Sequence, residues 1–459
     1  MIGNLLQPEL KELIRERDFG RLRETLEDFA PVDIAEILTD MEAADKAVLL
    51  RVLHKRQAAE VFEYLSMEDQ ESLLRALGSE EVAKILNELA PDDRTALLEE
   101  LPAPATQKLL QLLRPEERKV AVGLLGYPKD SVGRRMTPRY VSIQQGWTVA
   151  QVLEHLRRVG RDQDTLNQLY VVDDRGCLVA RVRLRVLVVA ELNTPVVELL
   201  EQPVTALNVT DDQETAIEAF QKYDLTVLPV VDSHGCLVGV VTVDDILDVA
   251  EREATEDMQR LGGMEALDAP YLSIGLGRMI RKRAGWLALL FLGEMLTATA
   301  MGYFEGEIEK AVVLSLFIPL IISSGGNSGS QATSLIIRAM AVKDVSLADW
   351  WRVLWRELVA GVALGSVLAG IALIRILAWP TRAKLYGEHY FLIAITVALS
   401  LVGVVLFGSI MGAMLPFILR RLSFDPAVSS APLVATLVDV TGLVIYFSVA
   451  YGILRGVLL

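Results

Sequence analysis

The segment APLVATLVDVTGLVIYFSVAYGIL, residues 431–454, is apolar along its whole length and carries a single charged residue, Asp439. A helix needs about 20 apolar residues to cross a bilayer, so the segment is predicted to span a membrane. A carboxylate at that depth is costly and marks an ion path by default. Because Ala435, Thr436 and Gly442 are small, we interpret Asp439 as part of such a path. The alternative is an acid buried for packing, with a hydrogen-bond or arginine partner.

Apolar segments of similar length precede this one, which predicts a multi-pass transmembrane domain of five helices. We place the spans at residues 284–304, 312–337, 358–379, 390–415 and 432–453. Lysine and arginine are concentrated on the side of the N-terminus, so the positive-inside rule predicts a cytoplasmic N-terminus and a C-terminus outside. The N-terminal stretch is charged and lacks the apolar core of a signal peptide. The chain is therefore expected in the cell membrane (plasma or inner membrane).

The second span is polar in its middle, where it reads SSGGNSGSQATS, residues 323–334. Polar groups at this depth need protein or water around them. The amide oxygens of Asn327 and Gln331, with backbone carbonyls exposed by glycine, would suit a hydrated hard cation such as Mg²⁺. The alternative is a broken helix that serves packing only. Glu294, in the first span, either lines the same path or joins two helices.

Charge is divided unevenly along the chain. Its 459 residues carry a net charge of −15 at pH 7, and the excess of acid lies before residue 275. A nucleic-acid binder needs a basic surface, so no nucleic-acid partner is expected. The two cysteines and four scattered histidines predict no disulfide framework, zinc cluster or metallohydrolase site. An acidic soluble part suits a protein that meets cations, although many soluble proteins are acidic without that role.

Residues 1–128 are predicted to form an all-α domain built from a 24-residue repeat. Similar helix starts follow at Ser66, Ala90 and Arg114, and each unit holds two short helices with apolar residues at i, i+3 and i+4. Stacked helical hairpins of this kind form a superhelix. Helix capping and solubility are the simplest explanation of any single acid after a turn.

Residues 129–245 contain a second repeat. LYVVDDRGCLVARVRLRVLVV begins at Leu169 and LPVVDSHGCLVGVVTVDDILD at Leu228, an offset of 59 that aligns Cys177 with Cys236. Each copy reads as α/β, with an Asp-rich turn containing glycine between two strands. The pattern resembles a tandem CBS pair, a module that often senses nucleotides or ions. We therefore interpret the cysteines as equivalent hairpin positions and not as partners in one site.

The connecting segment, residues 246–270, is predicted to be an acidic helix together with the residues just before it. Its acids are Asp244, Asp245, Asp248, Glu251, Glu253, Glu256 and Asp257, against Arg252 and Arg260. Like charges this close repel by roughly a few tenths of a kcal/mol per pair, and a bound divalent cation would relieve the repulsion. The alternative, a solvated charged helix, is weakened because the segment leads directly into the first span.

Taken in order, these parts resemble the MgtE-type magnesium channels over nearly the whole chain. The most specific stretches are GGNSGSQATSLIIRAMA, residues 325–341, and LPFILRRLSFDPAVSSAPLVATLVDVTG, residues 415–442. The resemblance implies a multidomain membrane protein with an N-terminal superhelical domain, a CBS pair, a connecting plug helix and, over residues 271–459, a five-helix transmembrane domain. It also implies a homodimer in the lipid bilayer with one pore along the dimer axis.

The resemblance assigns functional residues as well. Asp439 of both subunits would hold hydrated Mg²⁺ in the pore, with the Ala435 carbonyl assisting and Asn327 on a lining segment. The plug helix would close the pore when cytosolic Mg²⁺ is high, because regulatory Mg²⁺ would bridge acids of the superhelix, the CBS pair and the plug. Those acids are Glu60, Asp92, Glu214, Asp224, Asp245, Asp248, Glu253, Glu256 and Asp257.

Two positions depart from the family pattern. Ala96 stands where the family has an acid near Asp92, which would weaken one ion site of the superhelix. Val186, within VRLRVLVV, stands where a ribose-binding Asp is common, whereas the second copy keeps Thr242 and Asp245. The family binds adenine nucleotides, so Val186 argues against ATP as a cofactor here, and the second-copy residues could serve ions instead.

These observations predict a magnesium-selective channel or transporter for Mg²⁺ uptake, gated closed by cytosolic Mg²⁺. Two alternatives stay open. One is a proton- or sodium-coupled divalent cation transporter with Asp439 as the carrier site, and the other is a membrane-anchored CBS nucleotide sensor without transport. An intramembrane hydrolase using Asp439 and Glu294 would lack a second acid motif or a histidine pair, so no enzyme activity is expected.

Overall fold

The computed structural model describes residues 2–39, 41–160, 163, 165–267, 271–272 and 274–458. The chain divides into two units, Met1–Glu251 and Arg252–Leu459. The boundary falls inside one helix, Val243–Leu261, which contains most of the predicted connecting segment. Residues 268–270 of that segment lie outside the described residues.

The N-terminal part of the first unit is all-helical, as predicted. Its helices are α1 (Ile2–Glu16), α2 (Phe19–Glu27), α3 (Pro31–Thr39), α4 (Ala43–Val52), α5 (Lys55–Glu63), α6 (Met67–Ala76), α7 (Ser79–Glu88), α8 (Pro91–Glu100), α9 (Ala103–Leu112) and α10 (Pro115–Leu125). Helices α5, α7 and α9 begin 24 residues apart, and α5 packs on α7 as α7 packs on α9. Stacking of this kind is typical of a helical superhelix.

Local signals explain where these helices begin. The Ser66 hydroxyl accepts a hydrogen bond from the backbone N–H of Asp69, which caps α6. Pro91 and Pro115 occupy the first positions of α8 and α10, where a missing N–H costs nothing. Leucine, valine and phenylalanine at helical spacing then form one continuous core that runs from Leu10 to Ala121.

The rest of the first unit repeats a small α/β fold. The first copy and its lead-in hold α11 (Val132–Arg135), β1 (Ser142–Gln144), α12 (Val149–Val159), β2 (Gln168–Val172), β3 (Leu178–Arg183) and α13 (Leu184–Val189). The second holds β4 (Leu207–Asn208), α14 (Gln213–Tyr223), β5 (Val227–Val231), β6 (Leu237–Thr242) and α15 (Val243–Leu261). In both copies the first two strands pair parallel and the last two antiparallel, with the same β-bulge in the hairpin.

The second unit contains, within the part of the chain that the structure describes, five helices long and apolar enough to cross a membrane. They are α16 (Leu276–Tyr303), α18 (Ile318–Ala341), α19 (Trp350–Leu377), α21 (Tyr390–Arg421) and α22 (Ala431–Leu454), joined in part by the short α17 (Glu305–Lys310) and α20 (Arg382–Tyr386). Each overlaps a predicted span, so the predicted fold class is confirmed.

The polar stretch of the second span is not a break in the helix. Helix α18 is continuous through residues 323–334, so the alternative of a broken helix that serves packing only is wrong. Its glycines instead allow α21 to approach closely. A Cβ on Gly412 would lie 2.1 Å from the carbonyl oxygen of Gly329, and a Cβ on Gly408 would lie 2.3 Å from that of Gly325.

Glycine also brings α19 against α21. A Cβ on Gly361 would lie 3.0 Å from the Cα of Leu406, and a Cβ on Gly365 would lie 2.8 Å from the Cα of Val402. Small residues four apart let helix backbones meet in a membrane, where hydrophobic burial does not drive association between helices. At these glycines the helix backbones lie so close that a larger side chain does not fit.

Candidate ion path and acidic clusters

Asp439 lies on α22 beside the acid of the first membrane helix. Its carboxyl group lies within reach of the Glu294 carboxyl group on α16 and interacts with it directly. One turn earlier, Thr436 packs against Gly293, where a Cβ would lie 2.6 Å from the Thr436 methyl carbon. Gly293 therefore allows α16 to approach α22, and this approach sets the two carboxyl groups side by side.

Ala435 and Asn327 lie on neighbouring helices. Gly326 of α18 faces Ala435, since a Cβ built on Gly326 would lie 3.5 Å from the Ala435 Cβ. Asn327 follows Gly326 with an exposed side chain, and its Nδ2 lies 3.5 Å from the Ser323 hydroxyl. The structure thus brings the polar segment of α18 against the turn of α22 that leads to Asp439, with the Asn327 amide on an exposed face.

In the first unit, acids of α5 lie close to the start of α15. Burial, followed by the charges of Asp245, Glu60 and Asp244, raises the pKa of Glu63 from 4.5 to about 7, although a hydrogen bond with Asp93 lowers it. Glu60 and Asp245 belong to the residues that the resemblance assigns, whereas Glu63 and Asp93 do not. The i, i+3 spacing of Glu60 and Glu63 on one helix face was the available signal.

The start of α15 differs from the equivalent turn of the first copy. The Thr242 hydroxyl donates a hydrogen bond to the Asp245 carboxylate. An offset of 59 places Arg183 and Val186 at these positions, and Arg183 Nε instead donates to Glu201 Oε1 over 2.5 Å. A hydroxyl and a carboxylate therefore stand in the second copy where the first has an ion pair and an apolar side chain.

Three other assigned acids of the first unit lie at helix ends. Glu214 and Asp224 lie at opposite ends of α14, about 15 Å apart at a rise of about 1.5 Å per residue, so one ion in one chain cannot bind both. Asp92 lies in the first turn of α8, where its charge favours the buried guanidinium of Arg94. Arg94 is also paired with Glu117.

In the second unit, the end of α15 is tied to the loop before α22. The Arg260 guanidinium donates hydrogen bonds to the carboxylates of Glu256 and Asp425. Burial, followed by the charge of Asp425, raises the pKa of Asp257. Glu253, partly buried, lies one turn before Glu256. Asp425, which the sequence did not single out, therefore belongs to the same charged network as the predicted acids.

The exposed Asp248 lies one turn after Asp245 on α15. Among the residues described, no three His, Cys, Asp or Glu side chains converge into a ready ligand set. Mg²⁺ keeps several waters and is commonly bound through one or two carboxylates, so paired acids fit a hydrated ion. The same pairs would not supply the full coordination of a dehydrated one.

Comparison with known proteins assigns the family. The model described as MgtE, divalent cation transporter, matches residues 318–449, the MgtE intracellular N domain matches residues 29–130, and the CBS domain matches residues 194–252. The magnesium transporter MgtE of Thermus thermophilus is 41% identical over 455 residues, which cover 98% of this chain and 99% of that protein. This chain belongs to the MgtE family.

Other members of the MgtE family agree with this. The magnesium transporter MgtE of Bacillus subtilis is 32% identical over 333 residues, 72% of each chain. A crystal structure described as the cytosolic domain of the Mg²⁺ channel MgtE in complex with ATP is 40% identical, with a TM-score of 0.51, and covers 53% of this chain and 100% of its own. The soluble part of a magnesium transporter, 28% identical with a TM-score of 0.52, covers 55% of this chain and 99% of its own.

The predicted resemblance to MgtE-type proteins is therefore confirmed, as is the order of an MgtE N domain, CBS domains and a membrane part. The relatives are magnesium transporters, and the family is not an enzyme family. The roles of the individual acids remain predictions.

Proposed function

We propose that this chain forms a homodimeric, magnesium-selective channel for Mg²⁺ uptake, with Asp439 as the pore acid. The observation that carries the proposal is the pair of carboxyl groups, Glu294 and Asp439, on adjacent membrane helices. Two carboxylates in apolar surroundings cannot both ionise without a compensating charge. A pair of acids at membrane depth therefore favours a cation beside it. One such acid pair per chain also favours a two-fold pore, in which two copies of Asp439 face one hydrated ion.

Ala435 and Asn327 complete the proposed lining. The Ala435 carbonyl and the Asn327 amide oxygen are neutral donors, which suit the water shell of Mg²⁺ more than the bare ion. Gly326 of α18 faces Ala435 of α22, so the two donors lie on neighbouring helices along the proposed path.

We further propose that cytosolic Mg²⁺ closes the channel. The Glu63 carboxyl already has a pKa raised to about 7, first by burial and then by repulsion from Asp245, Glu60 and Asp244. Mg²⁺ bound at Glu60, Asp92, Asp245 and the other assigned acids would remove that repulsion and favour the compact arrangement. A ligand shifts an equilibrium only by its differential affinity for the two states, so Mg²⁺ would act as an inhibitor of its own entry.

The N-terminus is proposed to be cytoplasmic and the C-terminus outside, because basic residues favour the N-terminal side of the spans. ATP is not included in the proposed mechanism. A relative was crystallised with ATP, but Val186 takes the position where a ribose-binding carboxylate is expected in the first CBS copy of this chain.

The gating proposal is tested by Mg²⁺ flux in proteoliposomes at graded Mg²⁺ on the cytosolic side. Neutralising Asp248, Glu256 and Asp257 together, as Asp→Asn and Glu→Gln, should raise the half-inhibiting Mg²⁺ concentration about tenfold. The control removes the same charge from acids exposed on the first CBS copy, Asp174, Glu191 and Glu198. An inhibition curve that stays in place, or that moves equally in the control, would reject the assigned sensor.

A further inference from the structure

The two cysteines of the chain face each other across the CBS pair. The sulfur atoms of Cys177 and Cys236 lie 3.5 Å apart, and both residues are free thiols. The interpretation of the cysteines as equivalent hairpin positions holds, since they lie 59 residues apart in the repeat. They were not expected to be partners in one site, but the two-fold repeat brings the equivalent hairpin turns, and so the two sulfurs, together.

The backbone around this contact forms a short antiparallel bridge. The N–H of Leu178 donates to the carbonyl of Gly235 over 3.0 Å, and the N–H of Leu237 donates to the carbonyl of Gly176 over 3.0 Å. These bonds flank the cysteines, so Cys177 and Cys236 form the non-hydrogen-bonded pair of the bridge. In such a pair the Cα atoms lie about 4.5 Å apart and the side chains are closest.

That spacing suits a covalent bond between the sulfurs. A disulfide needs Cα atoms about 4.4–6.8 Å apart, which a non-hydrogen-bonded antiparallel pair meets without moving the backbone. Each hairpin is also held rigid at its base. Asp173 Oδ1 accepts from the N–H of Cys177 over 2.8 Å, and Asp232 Oδ1 accepts from the N–H of Cys236 over 2.9 Å. The thiols are therefore held near each other by fixed turns.

We propose that Cys177 and Cys236 are a reversible modification site, at which a low-molecular-weight disulfide oxidises the pair to an intramolecular disulfide that joins the two CBS copies. Both cysteines are partly exposed, so a small disulfide reaches them. Where the surroundings are reducing, the pair rests as a dithiol.

The exchange proceeds in two balanced steps. The thiolate of one cysteine attacks a sulfur of the small disulfide RSSR, whose S–S bond breaks, so that a mixed disulfide forms and RS⁻ leaves. The second cysteine thiolate then attacks the protein sulfur of the mixed disulfide, and a second RS⁻ leaves. The two cysteine protons end on the two RSH molecules, and the two electrons given up by the cysteines reduce RSSR.

The hydrogen bond between the thiols opposes the loss of a proton from Cys236. That bond, with burial and the charge of Asp232, raises the pKa of the Cys236 thiol. Since the thiolate is the attacking species, oxidation should speed up as the pH rises above neutral.

The test uses the full-length protein in detergent, equilibrated with glutathione disulfide, then denatured, alkylated with a maleimide and weighed. The chain has only two cysteines, so the count is unambiguous. Reduced protein should carry two maleimide groups. Oxidised protein should carry no maleimide and no glutathione, and treatment with dithiothreitol should restore labelling of both thiols. Cys177→Ser and Cys236→Ser should each stop at one bound glutathione.

Several results would overturn the proposal. If the wild-type thiols still react with maleimide after equilibration with glutathione disulfide, the pair does not oxidise. A stable glutathione adduct on wild type would show that the second thiol does not attack, and disulfide-linked chains on a non-reducing gel would show that the bond forms between copies. If a serine variant fails to fold, the number of maleimide groups on the wild-type protein is sufficient to test the proposal.

Discussion

The carboxyl groups of Glu294 and Asp439 interact directly between α16 and α22, although 145 residues separate them in the chain. The sequence marked Asp439 as an ion-path acid and left Glu294 undecided between a path and a helix contact. Because the two carboxyl groups are in contact, Glu294 has an electrostatic role in either case. A cation near one is favoured by both.

Glu294→Gln should therefore weaken Mg²⁺ passage without destroying the fold. Removing one negative charge beside Asp439 should raise the Mg²⁺ concentration for half-maximal flux about five- to tenfold, which corresponds to about 1–1.4 kcal/mol. Flux into proteoliposomes measures this. Glu357→Gln is the matched control, since Glu357 lies on α19, which packs on α21. Equal effects of the two variants would contradict the assigned role of Glu294.

The Arg260–Asp425 contact should stabilise the last turn of α15 against local unfolding. Asp425 Oδ1 accepts a hydrogen bond from the Ala427 N–H over 2.8 Å. Asp425→Asn keeps an oxygen that can accept this bond, but it removes the negative charge that faces Arg260. A partly exposed pair of this kind contributes about 0.5–1 kcal/mol. Amide exchange across residues 256–263 should speed up several-fold, as measured by mass spectrometry.

Arg260→Gln, which also removes the contact with Glu256, should produce at least the same acceleration, and the double variant should add little beyond Arg260→Gln. Additive effects of the two substitutions would mean that the residues act separately. Glu251→Gln, at an exposed acid earlier on the same helix, serves as the charge control and should leave these amides unchanged.

Glu63 should make the first unit less stable as the pH rises. Its pKa of about 7 lies above the ordinary 4.5, so the folded state holds this proton more tightly than the unfolded chain does. The cost is absent below about pH 4.5, grows between about pH 4.5 and 7, and is complete above pH 7. In metal-free buffer at pH 8, Glu63→Gln should slow hydrogen exchange of the α5 amides about fivefold. This corresponds to about 1 kcal/mol after allowance for solvent screening.

At pH 5, where wild-type Glu63 is largely protonated, the two proteins should exchange at nearly equal rates. Glu68→Gln, at an exposed acid on α6, should have no effect at either pH. A Glu63→Gln variant that gains the same protection at pH 5 and pH 8 would show that the effect does not come from titration of this carboxyl group.

Gly412→Ala should disrupt the membrane unit. The added Cβ would lie 2.1 Å from the Gly329 carbonyl oxygen, so two helix backbones must separate. The expected loss is about 2 kcal/mol or more, because overpacking at a rigid contact typically costs about 1–3 kcal/mol. Gly370→Ala, where a Cβ meets nothing within 4 Å, should be neutral or slightly stabilising. Thermal unfolding in detergent compares them, and equal melting temperatures would contradict the packing account.

Local patterns predicted most of the architecture. The 24-residue spacing of helix starts, the 59-residue CBS repeat and the apolar runs each report a structure that recurs within a short window of sequence. Hydropathy predicts only the apolar part of a membrane helix. Helix α16 therefore begins earlier than the predicted span, at Leu276, because Arg281 and Lys282 continue the helix without being apolar.

Contacts between distant segments were harder to foresee. Nothing local indicates that Cys177 meets Cys236 or that Asp425 meets Arg260, since both contacts depend on how whole elements pack. Composition alone does not distinguish glycines that expose carbonyls, as the sequence predicts for α18, from glycines that allow α21 to approach, as the structure shows. Of the sensor cluster, Glu60 and Asp245 followed from the resemblance, but Glu63 stands out only once α5 is known to lie close to the start of α15.

The most direct test of the central claim is Mg²⁺ flux into proteoliposomes that contain a Mg²⁺-sensitive dye, for wild type and Asp439→Ala, with no imposed proton or sodium gradient. We predict that wild type conducts and that Asp439→Ala loses most of the flux or its selectivity for Mg²⁺, while remaining folded. Equal Mg²⁺ flux through both proteins would contradict the account, because Asp439 would then be a structural acid outside the ion path. Flux of wild type only under a proton or sodium gradient would favour coupled transport instead.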